Sequence, residues 1–349
     1  MNGAIKTAIV DASRLDGLDA RAPSKSCRYL ARIANLPLIG HVLESLTPIG
    51  IEQVLILCHP DVRDELASYV RNGAASGVEI LFIETNHLSR GSLLSQLRDA
   101  AGDCPVLVHP GDCLFPGAVE RLCDRFDVGD LDLVLLERFE RISLQTEHNR
   151  EGAKPIRPSH EQSVAAPCVL GHSVWPVLQS LPGGSLRLKS VIQALTTTGH
   201  RIGACEAGEY WCYSASSERL LVANRMLLDR LPFVSVPPNL GSDNDVQGRV
   251  SISPSAQVSG TTLRGPVLIG ADTIIEDSFI GPYTSIDRGS TVIGTEIEYA
   301  MVLAGADVRY PGSRLEASVI GERAVVKKNL ALPGGLHVIL GQDARLILG

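Results

Sequence analysis

A chain of 349 residues with 44% hydrophobic side chains exceeds the usual size of one domain and implies two. The net charge of −7, with no basic stripe, argues against a broad nucleic-acid surface, which needs clustered Lys and Arg to displace counterions. No apolar run approaches the roughly 20 residues that cross a bilayer and the first residues lack a secretory pattern, so a cytoplasmic protein without membrane contact is expected.

Residues 1–136 alternate short apolar runs with amphipathic segments. "AIV" at Ala8 to Val10 is followed by a helix over Pro37–Leu46, "VLILC" at Val54–Cys58, a helix near Val62–Arg71, "EILFIE", a helix near Leu93–Ala100, "PVLVH", a helix near Ala118–Phe126 and "LDLVLLE". Runs of this length separated by helices are the pattern of a parallel sheet covered on both faces. The expected fold is therefore α/β, a doubly wound, mostly parallel sheet that binds ligands at the carboxyl ends of its strands. Thr146 to Val164, "TEHNREGAKPIRPSHEQSV", reads as a loop at that end. Regular pattern resumes at "APCVLGHSVWPVLQSL", and the helical stretch "ERLLVANRMLLDRL" closes the first domain, 1–236.

Within the second domain, 237–349, small or β-branched apolar residues recur at five- or six-residue steps: Ile252, Val258, Leu263, Ile269, Ile275, Ile280, Ile286, Val292 and Ile297. An Ile-Gly dipeptide marks the same place in several turns. Three such steps make about 17 residues, one coil of a triangular parallel β-helix whose inward aliphatics stack on the coil below. Acyl transfer on such a scaffold usually uses a histidine on a coil, and Val250 to Leu330 has none.

The eight cysteines lack C-x-x-C spacing and read as reduced thiols. Cys58-His59 and "HPGDC" at His109 to Cys113 offer metal donors, but two or three donors at strand ends are more often incidental.

Several segments in order resemble the sugar-1-phosphate nucleotidyltransferases, particularly the long glucose-1-phosphate thymidylyltransferase type with a C-terminal left-handed β-helix. "IANLPLIGHVLESL" is similar to the family's V-x-N-K-P-M-I segment, "VLVHPGDC" to Y-L-G-D-N, and "GEYWCYSASSERLLVAN" to G-Y-W-x-D-x-G-T-x-E-x-L-x-A-N. "GPVLIGADTIIEDSFIGPYTSI" and "HVILGQDARLILG" match the long type. The resemblance implies a left-handed solenoid and a reaction in which a sugar 1-phosphate attacks the α-phosphorus of a nucleoside triphosphate and releases pyrophosphate. It also implies a glycine-rich loop G-G-x-G-T-R-L, a lysine and two aspartates that hold Mg²⁺.

Counted back from Asn35, the loop falls on Ser13, Arg14, Leu15, Asp16, Gly17 and Leu18, so side chains stand where glycine would let backbone N–H groups approach phosphate. The lysine position is Arg28. One metal aspartate is kept as Asp112; the other falls on Tyr213, a poor Mg²⁺ ligand. By the same resemblance Ser13, Arg14, Gly17, Thr85 and Gly91 face the nucleotide, Lys154, Gly171 and Lys189 the sugar phosphate, and Arg28 and Asp112 are the catalytic positions, with Asp112 the metal ligand.

These departures point to a homologue impaired in catalysis that survives as a binding, regulatory or assembly protein. The alternative is a divergent active nucleotidyltransferase with an unusual substrate, for which Mg²⁺ would be the cofactor. The implied partners are a nucleotide or nucleotide sugar and a sugar phosphate. The implied assembly is a homodimer or homotetramer, or a complex with an active paralogue.

Overall fold

The computed structural model describes residues 4–14, 27–71, 77–86, 89–137, 167–181, 188–214, 216–231, 237, 240–329 and 335–339. By contacts the chain divides into two compact units, Met1–Leu15 with Ile39–Trp211, and Asp16–Leu38 with Cys212–Gly349. In chain order the elements before the solenoid begin with β1 (Thr7–Ala12), β2 (Arg32–Ile33), β3 (Leu36–Pro37), α1 (Leu38–Leu46), β4 (Gln53–Cys58), α2 (Pro60–Tyr69), β5 (Glu79–Glu84) and α3 (Arg90–Ala101). They continue with β6 (Val106–Pro110), β7 (Cys113–Leu114), α4 (Ala118–Gly129), β8 (Leu133–Glu137), β9 (Cys168–Leu170), α5 (Trp175–Ser180), α6 (Leu188–Thr197), β10 (Ile202–Glu206), β11 (Trp211–Cys212) and α7 (Ser217–Leu228).

In the first unit a seven-stranded sheet runs in the order β10-β8-β9-β6-β1-β4-β5. Strand β9 is antiparallel to both its neighbours and the remaining pairs are parallel. This is the α/β sheet implied by the apolar runs, with one strand reversed. Central strands β1 and β4 are buried almost throughout, as runs covered on both faces must be. Strand β5 lies at an edge, and its "EILFIE" is accordingly half-exposed, with Leu81 41% accessible. Helix α1 turns Leu38, Ile39, Val42, Leu43 and Leu46 inward, the spacing of one helical face. Helix α4 does the same with Ala118, Val119, Leu122, Cys123 and Phe126. No helix among the described residues is long and apolar enough to cross a membrane.

Most of the second unit is three sheets of short parallel strands stacked coil upon coil, consistent with a left-handed β-helix, and Gly335–Ile339 closes one of them antiparallel to Val325–Asn329. Each aliphatic column of the sequence becomes a ladder: Ile252, Ile269, Ile286, Val302 and Ile320 align in one sheet. Leu263, Ile280, Ile297 and Leu315 align in the second, and Val258, Ile275, Val292, Val308 and Val326 in the third. Most of these side chains are fully buried and form one core. The Ile-Gly dipeptide has a steric cause: a Cβ on Gly270 would stand 2.7 Å from the backbone nitrogen of Arg288 on the next coil.

Helix α7, read from sequence as the end of the first domain, is counted with this second unit. Its Asn224 is fully buried; Oδ1 accepts the Ala34 N–H at 3.1 Å and Nδ2 donates to the Tyr283 carbonyl at 3.1 Å. Ala34 and Asn35, with φ of 45° and 65°, form the turn between β2 and β3, the paired positive-φ geometry that a two-residue hairpin requires.

One inward position breaks the aliphatic rule. Thr284 aligns with Val267 and Val250, is fully buried, and its Oγ1 has no hydrogen-bond partner. A buried hydroxyl without a partner costs about 1–3 kcal/mol. Thr284→Val keeps the shape and removes the cost, so thermal unfolding should shift upward by a few degrees, corresponding to about 1 kcal/mol. Asn224→Ala should do the reverse, by about 2–4 kcal/mol, because it leaves an amide and a carbonyl buried without partners. Denaturant titration with the slope held in common measures both.

Candidate functional site

The carboxyl ends of four adjacent parallel strands, β6, β1, β4 and β5, lie side by side in the first unit. At two of them the chemistry-bearing residues meet. Strands β1 and β6 are in register with Asp11 opposite Pro110, and the Gly111 N–H donates to the Asp11 carbonyl at 2.8 Å. A Cβ on Gly111 would stand 3.0 Å from that carbonyl oxygen, so a larger residue here would push the two strand ends apart by a few tenths of an ångström.

Asp112, next along, is nine-tenths buried, and its Oδ2 stands 3.6 Å from Nη1 of Arg14, whose side chain is 34% exposed. Ser13 does not face outward as a phosphate-loop residue would. Its backbone N–H donates to Oδ1 of Asp11 at 3.0 Å and its Oγ donates to the same atom at 2.5 Å. Asp11 is a residue the sequence reading passed over, although Asp-x-Ser is a recognisable signal for a side chain that binds its own backbone two residues on.

Thr85 follows β5, and both its N–H and its Oγ1 donate to the Cys58 carbonyl, at 3.1 and 3.4 Å. Gly91 lies in the first turn of α3, whose N-cap Ser89 accepts the Ser92 N–H. The Gly171 N–H donates to the Asp132 carbonyl at 2.8 Å, and a Cβ there would stand 3.1 Å from that oxygen. Lys189 lies on α6, its side chain outside the described residues. Gly17, Lys154 and the loop Thr146–Val164 also lie outside the described residues. In the second unit, the Arg28 guanidinium lies over the Tyr213 ring, 5.4 Å from its centroid, a cation–π contact.

These groups fit a divalent cation poorly. The Asp112 carboxylate already faces a guanidinium, Tyr213 offers a phenol, and no group of three or more His, Cys, Asp or Glu that could hold a metal occurs among the described residues. The cysteines, expected as reduced thiols, divide. Cys27, Cys58, Cys104, Cys123, Cys168 and Cys205 are free, whereas Cys113 and Cys212 are disulfide-bonded. Neither stands in a C-x-x-C pair, so spacing carried no signal. Burial pushes the Cys58 thiol up to about 11 and those of Cys123 and Cys168 to about 12, which leaves them inert as nucleophiles at neutral pH.

His109, on β6 beside these strand ends, is 1% exposed. Its Nδ1 lies 2.8 Å from the Pro110 carbonyl, the contact of a neutral ring protonated at Nδ1. The ring packs edge-on to Phe115, which stacks on Tyr210. Burial holds its pKa down at about 4.

Residues 21–199 match the family model for the MobA-like NTP transferase domain. Over 337 residues the chain is 25% identical to a glucose-1-phosphate thymidylyltransferase of Streptomyces griseus, covering 92% of this chain and 93% of that one. It is also 25% identical to the low-salt glycan biosynthesis nucleotidyltransferase Agl11 of Haloferax volcanii, over 92% and 94% of the two chains. Among solved structures, a UDP-glucose pyrophosphorylase from Acinetobacter baumanii aligns with a TM-score of 0.46 at 16% identity, over 65% of this chain and 93% of that one.

The state of His109 has a measurable consequence. Its folded pKa of about 4 lies below the ordinary 6.5 of an unfolded chain, so the unfolded state takes up a proton first as the pH falls. The stability that depends on a neutral His109 is complete above pH 6.5 and is lost as the pH drops towards 4, by an amount on the order of 3 kcal/mol. His109→Asn keeps a donor for the Pro110 carbonyl and does not titrate. Its unfolding free energy should fall less steeply between pH 7 and pH 5 than that of the wild type; equal slopes would show that His109 is not the group responsible.

Proposed function

The chain belongs to the MobA-like NTP transferase domain family, and from that premise we propose that it is a binding protein for a nucleotide or nucleotide sugar whose nucleotidyl-transfer chemistry is impaired. In-line phosphoryl transfer makes few covalent demands on a protein; it requires that two polyanions be positioned and their charge neutralised. A loop that does this turns its backbone N–H groups towards phosphate.

The observation that carries the reading is the state of that loop's first residue. The N–H of Ser13 is bound to the Asp11 carboxylate, and the hydroxyl is bound there too. An amide that should meet a triphosphate is thus held by a fixed negative charge, which opposes the approach of that polyanion. Relatives of the chain are named for glucose 1-phosphate and thymidylyl transfer, and the strand ends that hold Ser13, Arg14 and Asp112 are where an α/β sheet takes its ligand. Binding is therefore retained in this reading, and transfer is what has been given up. The protein would then act through its ligand-bound state, as a regulatory or assembly subunit.

The test is pyrophosphate release from each common nucleoside or deoxynucleoside triphosphate with glucose 1-phosphate and other sugar 1-phosphates in the presence of Mg²⁺. The expected turnover lies about three orders of magnitude or more below the 1 per second of an ordinary slow enzyme, while calorimetry with nucleotide sugars registers binding. Turnover of ordinary size would establish the divergent active enzyme instead.

A further inference from the structure

We propose that the Arg14 guanidinium takes the part a divalent cation would play beside Asp112, so that the α/β unit accepts a metal-free pyrophosphate diester, the linkage of a nucleotide sugar, in preference to a metal–triphosphate complex. The identity of the ligand rests on the function proposed above; the claim about the cation does not.

A carboxylate as buried as that of Asp112 needs a compensating charge. Arg14 Nη1 provides one at 3.6 Å. Mg²⁺ demands oxygens in near-octahedral array at roughly 2.0–2.1 Å, so to reach this carboxylate it must meet the guanidinium at a distance where like charges repel. No alternative cluster of metal-ligating side chains occurs among the described residues. Arg14 stands where the resemblance implies a glycine of the loop. A residue with no side chain at that position would leave the carboxylate to a metal.

The exchange changes what can bind. A guanidinium is planar and matches the oxygens of a phosphate two at a time, but it carries one positive charge in place of two. It is a counterpart for a diester whose two phosphates bear a single charge each. A triphosphate carries more charge and arrives with its own metal, for which the guanidinium beside Asp112 leaves no carboxylate ligand. Asp11, held beside the loop by Ser13, adds a second carboxylate and penalises ligand charge further.

The first measurement uses Mn²⁺ alone, followed by electron paramagnetic resonance on the full chain as wild type, Arg14→Gln and Arg14→Gln/Asp112→Asn, with circular dichroism as the check on folding. Arg14→Gln should bind Mn²⁺ about tenfold more tightly than either of the others, the factor expected when one charged contact is exchanged. Wild type that binds Mn²⁺ as tightly as Arg14→Gln overturns the proposal, and so does Mn²⁺ that is held by the wild type and lost in Asp112→Asn alone, a fourth protein whose comparison needs no Arg14 variant to fold.

The second measurement is calorimetry with dTDP-glucose and UDP-glucose in EDTA or in Mg²⁺. Wild-type affinity should agree within about twofold between the two buffers, and Arg14→Gln should lose about tenfold in EDTA. Binding by the wild type that depends on Mg²⁺ overturns the proposal. If neither nucleotide sugar binds in either buffer, the function proposed above has failed, and the Mn²⁺ titration still decides the role of Arg14.

Discussion

Asn224 holds the second unit together at the place where three pieces of chain distant in sequence meet. A fully buried amide must find partners for its oxygen and its nitrogen or pay their desolvation, and it finds them on Ala34 and Tyr283, one in the β2–β3 turn and one in the solenoid. The same turn is tied twice more. Asn35 Nδ2 donates to the Ile286 carbonyl at 2.8 Å, and Arg32 forms an ion pair with Asp287, itself 2% exposed. Arg32 also donates to the Asn35 carbonyl within the turn. The hairpin therefore meets two positions on one stretch of the solenoid, Ile286 and Asp287, and helix α7 meets a third on the same stretch, Tyr283, through Asn224, which also holds the hairpin at Ala34. Tyr283 adds its hydroxyl to Asp229 at 3.1 Å, where Arg249 also pairs.

This arrangement explains why the resemblance to the nucleotidyltransferases is strongest in residues that do no chemistry. Asn35 and Asn224, prominent in the matching segments, are structural hydrogen-bonding residues here, and Gly111 lies where the ends of β1 and β6 approach closely. Their demands are imposed by packing and by buried polar groups that need partners. Ser13, Arg14 and Asp11 answer to a different demand, since they lie at strand ends where no core depends on them. A fold can keep the first set and change the second at little cost to its stability.

The solenoid was legible in the sequence because one inward aliphatic per strand repeats over many coils, and each of the nine positions named from sequence falls in a ladder of the structure. What periodicity could not reveal is where the ladder slips. The step from Ile286 to Val302 is one residue short, and that from Val302 to Ile320 one residue long, against the spacing of Ile252, Ile269 and Ile286. The α/β strands were legible for a similar reason, apart from the reversal of β9, since strand direction leaves no trace in three apolar residues. At the site, counting from Asn35 found Ser13, Arg14 and Asp112 but not their partners. Asp11 ends an apolar strand and looks like a boundary residue until its side chain is seen folded back on Ser13. The ion pair of Arg14 joins residues nearly a hundred positions apart, which no local pattern encodes.

Charge at the strand ends ties these points together. The ends of β1 and β6 leave little room between them, since a Cβ at position 111 would stand 3.0 Å from the Asp11 carbonyl oxygen. Any charge placed there is felt by its neighbours through little water, and an unpaired carboxylate is costly. Asp112 is compensated here by an attached guanidinium, that of Arg14, where the proposal above would otherwise place a metal. The residues around the end of β1, Asp11, Ser13 and Arg14, thus set the charge beside Asp112.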